Sequence, residues 1–233
     1  MSTPSSMTLW ARCGEGTSNA RLEPVLENFL GAVTNEAPLH ARFLNTLSLL
    51  EHIGSRKIML SQMRGGLDKE TLKHLAEETR HAFFFKHQAE RMAGHALENY
   101  DAASTLCPAE AKNYFGRLDA GLTQLLKPRV KRAPYLWVSF IIELRAGWVY
   151  RFYEKALVQA GAPFSLKSVT AEEEKHLRDM QESLQASGLM DDLLLARAVA
   201  LETKLFTHLL NAITAQAKIF SAATDAHSHL AQA

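Results

Sequence analysis

Cysteine and net charge are both scarce in this sequence of 233 residues. The only cysteines, Cys13 and Cys107, form no C-x-x-C pair, which argues against a disulfide framework or a zinc site. We therefore expect free thiols in a reducing cytoplasm. The 26 basic and 25 acidic residues nearly cancel to a formal charge of +1. Neither nucleic acid nor a membrane surface is therefore an expected partner.

Long apolar runs and strand-like alternation are missing as well. No stretch is long enough to span a membrane, and the N-terminus has no basic segment followed by an apolar run. Along most of the chain, apolar residues recur every three or four positions instead. This pattern predicts an all-α protein, and a content of 47% hydrophobic residues is enough for one substantial core. The missing membrane span and basic N-terminal segment lead us to expect a cytosolic protein.

A Glu-x-x-His pattern occurs twice. Residues 77–81 read EETRH and residues 172–176 read EEEKH, so each copy has a doubled acid and a histidine three positions after the second acid. Residues three apart on a helix project from the same side, which brings one carboxylate and one imidazole together in each copy. Lone glutamates, Glu51 and Glu143, precede the second acid of each copy by 27 and 30 residues.

These spacings fit two antiparallel hairpins of helices, in which each Glu-x-x-His returns to the level of the lone glutamate. Two such hairpins would place six side chains at one depth of a bundle: Glu51, Glu78, His81, Glu143, Glu173 and His176. Four buried carboxylates require compensating positive charge. A mixed set of carboxylates and imidazoles favours iron or manganese over calcium or magnesium.

This arrangement resembles the ferritin-like di-iron carboxylate superfamily, in which two helices each supply a Glu and two each supply Glu-x-x-His. The resemblance covers residues 38–187, and the EETRH run is similar to that of oxygen-activating members more than to storage ferritins. It implies a ferritin-like four-helix bundle with a long crossover that binds two iron ions, with manganese or a mixed pair as alternatives. It also divides the ligands between the ions: Glu51, Glu78 and His81 mainly for one, Glu143, Glu173 and His176 for the other, and Glu78 and Glu173 as bridges.

The rest of the chain fits additional helices around this bundle. Residues 1–20 are expected to be loose, residues 21–221 to form the helical domain and residues 222–233 to fray. The predicted helices lie near residues 22–33, 38–64, 69–99, 108–126, 134–160 and 189–220, and another begins between residues 163 and 170 and ends near residue 187. We expect the helix at 189–220 to serve packing or as the interface of a homodimer.

Four further side chains have alternative interpretations. Glu77 and Glu172 lie about 40° from the histidines of their own copies, so each could accept the second N–H of a ligating histidine across the bundle. Residues 170–173 also read as a capping box, which would make Glu173 a helix-start residue. His74 faces inward one turn before Glu78, where a hydrogen-bonded core histidine is favoured over a supporting role at the metals.

Small residues follow each lone glutamate by about one turn, Gly54-Ser55 on one helix and Ala146-Gly147 on another. They leave room for a substrate beside the metals, or they allow close packing of helices. The expected boundaries of that room are Phe85, Met180 and Tyr150. Tyr150 is either a redox partner of the site or a core residue.

The sequence thus favours a di-iron, or iron–manganese, oxidoreductase that activates O2 to oxidise a small organic substrate. No glycine-rich cofactor loop is visible, so electrons are expected from a separate donor. The alternatives are a protein that sequesters iron or scavenges peroxide, and an interaction protein whose metal site is structural.

Overall fold

The computed structural model describes residues 16–62, 68–126 and 133–230, in which the chain forms seven α-helices and no strand. In chain order the helices are α1 Gly16–Thr34, α2 Ala37–Gln62, α3 Lys69–Ala93, α4 Pro108–Leu126, α5 Ala133–Gln159, α6 Lys167–Ala186 and α7 Asp192–Leu230. The predicted all-α class is confirmed, as is the helix at 108–126. Of the segment predicted to be loose, residues 1–15 lie outside the described residues. Residues 16–20 belong to α1, which corrects the prediction: Asn19 is buried there and accepts a hydrogen bond from Arg145 at 3.1 Å.

Four of the helices form two antiparallel hairpins. In the first, Ser48 of α2 donates to the carbonyl of Ala82 at 2.7 Å, while Asn45, earlier in α2, donates to the carbonyl of Asn99 at 3.2 Å. Residues earlier in α2 thus contact residues later in the chain that follows, as expected for an antiparallel pair. The helices α5 and α6 form the second hairpin across residues 160–166. The two hairpins touch each other through α2 with α5 and through α3 with α6.

Both ends of α3 are set by identifiable residues. Asp68 caps the N-terminus, as predicted, by accepting a hydrogen bond from the Thr71 N–H at 2.9 Å. The C-terminus lies at Ala93 and not near Asn99, which corrects the prediction. Gly94 takes a left-handed conformation with φ of 73°, and this ends the helix six residues earlier than the hydrophobic pattern indicates.

The C-terminal helix is longer than predicted. Helix α7 continues to Leu230, whereas the prediction ended it near Phe220 and assigned residues 222–233 to a frayed tail. The prediction relied on the loss of apolar periodicity. Residues 221–230 contain neither glycine nor proline, so nothing in this segment stops the helix from propagating.

An outer layer of α1, α4 and α7 packs against α5 and α2. Leu26 and Leu30 of α1 and Leu118 of α4 are enclosed in the core, so α1 covers the hairpins as predicted. Because α5 has neighbours in both layers, its residues are buried on several sides, including Trp137 and Trp148. This explains why α5 is apolar around most of its circumference and carries no simple inward stripe.

A buried ion pair joins α5 to α7. Arg145 donates through Nε and Nη2 to the two oxygens of Glu202, at 2.9 and 2.6 Å. Tyr114 of α4 donates to the same carboxylate at 2.8 Å. The Arg145 and Glu202 side chains are no more than 5% exposed. The opposite charges of this cluster are therefore balanced within the chain, with good hydrogen-bond geometry.

Two predictions made from absent features can be compared with the structure. Among the described helices, none combines the length and the apolar character needed to cross a membrane. Cys107 is a free thiol, and its Sγ lies 3.0 Å from Oε1 of Gln216. Cys13 lies outside the described residues.

Candidate metal centre

The six side chains predicted to meet lie together between the two hairpins, each with 8% or less of its surface exposed. Helices α2 and α5 supply one glutamate each, and α3 and α6 supply the two Glu-x-x-His pairs: Glu51 and Glu143, then Glu78 with His81 and Glu173 with His176. Their function as metal ligands stays a prediction.

The inner face of α3 shows why these polar groups are buried. Its buried residues recur three or four positions apart: Thr71, His74, Glu78, His81, Phe85 and Ala89. Charged residues such as Lys73, Glu77 and Arg80 lie between them, so this stripe is the side of α3 that faces the other helices at the least cost in buried charge. The fold of α3 therefore places two histidines and one carboxylate in a row on one buried face.

Helix α6 places Glu173 well inside the helix rather than at its start. The helix begins at Lys167, and Leu166 at the N-cap makes no side-chain capping bond. Glu173 is buried and faces the cluster. The capping-box interpretation of residues 170–173 is therefore wrong, because the helix already begins before Thr170.

The ligand atoms form two groups, within each of which all atoms lie within 4.8 Å of one another. One group contains Glu51, Glu78, His81 and Glu173, and the other contains His74, Glu78, Glu143 and His176. Glu78 belongs to both, as expected of a bridging carboxylate. Glu173 groups with His81 across the hairpins, although its Oε2 also lies 3.7 Å from Nδ1 of His176.

Both Glu-x-x-His histidines direct Nδ1 toward the centre of the cluster. His81 Nδ1 lies 3.0 Å from Oε1 of Glu173 and 3.7 Å from Oε1 of Glu78. His176 Nδ1 lies 3.3 Å from the same Glu78 oxygen and 3.8 Å from Oε1 of Glu143. Oε1 of Glu78 thus lies within 4 Å of Nδ1 of both imidazoles. A carboxylate in this position could bind two neighbouring ions at once.

Several atoms at this centre have no hydrogen bond among the described residues. They are Glu78 Oε1, His81 Nδ1, Glu173 Oε1 and His176 Nδ1, all buried. Buried polar atoms are normally satisfied, and four unsatisfied ones that converge require a partner. Carboxylate oxygens and imidazole nitrogens are donors that iron and manganese accept. The residues present therefore fit a pair of such ions.

The other nitrogen of each of these histidines is held by a carboxylate from the opposite hairpin. His81 Nε2 lies 2.8 Å from Glu172, and His176 Nε2 lies 2.9 Å from Glu77. Glu77 and Glu172 thus occupy the places predicted from the doubled acids. Such contacts fix the tautomer and orientation of a ligating imidazole and increase its basicity.

These outer carboxylates are themselves paired with cations at the surface. Nζ of Lys73 lies 2.8 Å from Oε1 of Glu77, and the guanidinium of Arg80 contacts the carboxylate of Glu172. Burial raises the pKa of Glu77, but the contacts with Lys73 and His176 outweigh it and lower the pKa to about 2. Glu77 therefore remains ionised at neutral pH and accepts from the histidine.

His74 also belongs to the cluster, where it is buried and hydrogen-bonded, as predicted for a core histidine. Its Nε2 lies 3.1 Å from Oε1 of Glu143 and 3.4 Å from Oε1 of Glu78, and its Nδ1 lies 3.1 Å from the hydroxyl of Tyr135. The available signal was its position four residues before Glu78, which places both on one face of α3. Unlike Glu78 and His81, it has no counterpart in the second Glu-x-x-His copy.

The electrostatics of the cluster reflect four carboxylates in an apolar surrounding. Burial raises the pKa of Glu51 and of Glu143 well above the usual range, and the neighbouring carboxylates raise both further. Burial acts in the same direction on Glu78 and Glu173, but contacts that include His176 outweigh it and lower the pKa values of both groups.

The two Glu-x-x-His imidazoles respond in the opposite direction to their burial. Burial lowers the pKa of His81 and of His176, but the proximity of the Glu173 carboxylate and the surrounding negative charge raise each to about 10. The raised pKa values of Glu51, Glu143, His81 and His176 favour bound protons on these groups in the absence of metal. Ions that bind there take the place of these protons.

An apolar cavity of about 90 Å³ adjoins the carboxylates. Gly54, Ala146 and Tyr150 line it, as predicted, whereas Phe85 and Met180 do not. The cavity extends instead toward the outer layer, where Phe29, Leu50, Phe115 and Ile213 are among its lining residues. The predicted boundary was wrong because the sequence did not show that α1, α4 and α7 pack on this side.

Two contacts define the cavity wall next to the cluster. The hydroxyl of Tyr150 donates a hydrogen bond to Glu51. A Cβ atom added at Gly54 would lie 3.5 Å from Oε2 of Glu78, so a larger side chain there would meet the carboxylate. Gly147 does not line the cavity, and a Cβ added there would meet nothing within 4 Å outside the neighbouring residues of its own helix.

A second opening of the cluster is polar. A groove of about 560 Å³ between α3, α5 and α6 reaches His74, His176 and Glu77 and is bordered by charged residues that include Lys175 and Asp179. The carboxylates of the cluster thus face an apolar cavity, while His74 and His176 face a polar groove.

Comparisons with protein-family models, with curated proteins and with solved structures gave no significant match. The resemblance to ferritin-like di-iron proteins therefore depends on the residues and on their geometry alone.

Proposed function

We propose that the protein is a ferritin-like di-iron, or iron–manganese, oxidoreductase that uses O2 to oxidise a small apolar organic molecule. The observation that carries this proposal is the contact between the apolar cavity and all four glutamates of the cluster, Glu51, Glu78, Glu143 and Glu173. A site that only stored iron or stabilised the fold would have no need of such a space.

The size and lining of the cavity favour a hydrocarbon group as the substrate. A cavity of about 150 Å³ lined by apolar side chains can hold benzene or xenon, so about 90 Å³ suits a small molecule or a short alkyl group. Next to the carboxylates, Gly54 and Ala146 keep this space open. Phenylalanine and leucine side chains such as Phe29 and Leu50 line it, and an apolar lining of this kind disfavours water.

The protein residues hold and orient the reacting groups. Iron ions bound by the cluster would supply the redox chemistry for the reduction of O2. Glu77 and Glu172 hold the imidazoles of His176 and His81 in position. Tyr150 keeps its proton, because burial and the Glu51 carboxylate raise its pKa well above the usual range. It can therefore orient Glu51 as a hydrogen-bond donor.

The electron balance requires an electron donor besides the organic substrate. Reduction of O2 to the level of water takes four electrons, of which a two-electron oxidation of the substrate supplies two. We propose that a separate donor supplies the other two and that the enzyme acts in the cytoplasm as a homodimer.

The test begins with metal content. Protein loaded with Fe(II) under anaerobic conditions should bind two ions per chain, and exposure to O2 should change its optical spectrum. Oxidation of small alkyl and aromatic compounds is then measured by mass spectrometry with a chemical reductant as the electron source. Fewer than one ion per chain after loading would refute the proposal.

A pair of neighbouring substitutions separates the oxidase from an iron-sequestering or peroxide-scavenging protein. Ala146→Leu should fill the cavity and abolish oxidation of the organic compound while two ions remain bound. Gly147→Ala, which adds a methyl group that would meet nothing within 4 Å outside the neighbouring residues of its own helix, serves as the matched control. Oxygen or peroxide consumption that Ala146→Leu leaves unchanged, without any organic product, would favour the alternative function.

A further inference from the structure

The three histidines of the cluster have the same arrangement of contacts. Each directs one ring nitrogen toward the carboxylates and places the other against an outer oxygen. For His81 and His176 the outer partners are Glu172 and Glu77. For His74 the inward atom is Nε2 and the outer partner is the hydroxyl of Tyr135.

His74 is buried like a core residue, and it also lies beside a predicted histidine ligand. It is 4% exposed, and its ring centre lies 4.3 Å from that of His176. Its Nε2 lies close to oxygens of Glu143 and Glu78, the carboxylates that the second group shares with His176.

From this geometry we infer that His74 is a third histidine ligand, so that the two metal positions are unequal. This inference depends on the metal site of the proposed function but not on its oxygen chemistry. One position has two imidazoles, from His74 and His176, with Glu143 and a shared Glu78. The other has only one imidazole, from His81, with Glu51, Glu173 and the shared Glu78.

The outer partner of His74 is consistent with ligation. When an ion occupies Nε2, the ring proton resides on Nδ1 and donates to the oxygen of Tyr135. Burial raises the pKa of Tyr135 above its usual value, so its hydroxyl stays neutral. His74 therefore has a neutral outer partner, whereas the other two histidines have carboxylates, and it is the less basic ligand of the three.

The difference in donors gives the two positions different metal preferences. Imidazole suits ions such as Fe(II), Co(II) and Zn(II), whereas carboxylate oxygens suit Mn(II). Cobalt added in limiting amount should therefore occupy the position of His74 and His176 before that of His81. Mn(II) should compete most effectively at the position of His81.

The experiment counts histidine ligands in the wild-type protein. Protein labelled with ¹⁵N-histidine is titrated with Co(II), and the paramagnetically shifted ring N–H signals are recorded by NMR. Three signals at two equivalents of cobalt are expected, two of which arise during the first equivalent. Two signals at full loading would overturn the inference while the metal site stands. Fewer than one bound cobalt would overturn both the inference and the proposed function.

Substitution gives a second measurement. His74→Ala should remove one shifted signal and weaken cobalt binding at that position about tenfold or more, and added imidazole should restore part of the affinity. His40→Gln is the matched control, because His40 is also a buried histidine next to a tyrosine hydroxyl, that of Tyr153 at 2.5 Å. It should keep three signals. Wild-type cobalt affinity in His74→Ala would overturn the inference.

Discussion

Two clusters of buried charge lie on opposite faces of α5, and they differ in how their charge is balanced. Glu143 belongs to the carboxylate cluster, and Arg145, two residues later, pairs with Glu202. Glu202 receives hydrogen bonds from Arg145 and from Tyr114. In the described part of the chain, the ion pairs of the carboxylate cluster are formed with histidines and not with lysine or arginine. Some of its buried atoms, such as Glu78 Oε1, have no hydrogen bond among those residues.

This difference separates a structural cluster from a binding site. A charge that the chain itself neutralises contributes to stability and needs nothing from outside. Where the chain buries carboxylates with histidines as their only basic partners among the described residues, protons on the carboxyl groups and on the imidazoles supply the balancing charge until metal ions bind. Substitutions in the two clusters can test whether the Arg145–Glu202 pair governs stability and the carboxylate cluster governs metal binding.

The largest expected effect is on metal binding at Glu78, which belongs to both ligand groups. Glu78→Ala should reduce bound iron from two ions per chain to fewer than one. Metal analysis after anaerobic loading measures the number of bound ions. A variant that still bound two ions tightly would contradict the assignment of Glu78 as the shared ligand.

The second effect concerns stability alone. Glu202→Leu leaves the Arg145 guanidinium buried without its carboxylate, so we expect the free energy of unfolding to fall by about 3–5 kcal/mol, with two ions still bound. The double variant with Arg145→Met should recover much of this loss, because no unpaired charge remains. Urea denaturation of metal-free protein measures both. An equal loss in the single and double variants would argue against the charge as the cause.

An exposed ion pair provides the control for that measurement. Lys155 lies 2.8 Å from Glu27, and both side chains are about half exposed. Lys155→Ala should change the free energy of unfolding by less than about 1 kcal/mol, because solvent screens an exposed pair.

The sequence predicted the carboxylate cluster well because its residues repeat. Two Glu-x-x-His copies with lone glutamates at hairpin spacing fix which helix faces meet, and the doubled acids place Glu77 and Glu172 opposite the histidines. These features depend on local periodicity and short connections, which a sequence displays directly.

Features that depend on distant helices were not predictable in the same way. The partner of Arg145 is 57 residues away on α7, and no repeated pattern marks either residue. The cavity boundary depends on the packing of α1, α4 and α7, which periodicity cannot assign to a face. His74 lay on the correct stripe of α3, but without a second copy its position did not distinguish a ligand from a core histidine.

The smallest expected effect among the buried titratable groups is the pH response of His40, which has a neutral partner. Burial lowers the pKa of His40 from 6.5 to about 4. The unfolded chain therefore binds a proton at higher pH than the folded one. The contribution of neutral His40 is fully present above pH 6.5 and declines as the pH falls toward 4, by up to about 3 kcal/mol.

This response can be isolated by comparing wild type with His40→Gln in metal-free form between pH 7 and pH 4. Both proteins contain the same carboxylate cluster, so its titration cancels in the difference between their unfolding free energies. Wild type should lose more stability than the variant as the pH falls. Parallel curves for the two proteins would show that His40 gains its proton in the folded state as readily as in the unfolded chain, and that burial alone does not hold it neutral.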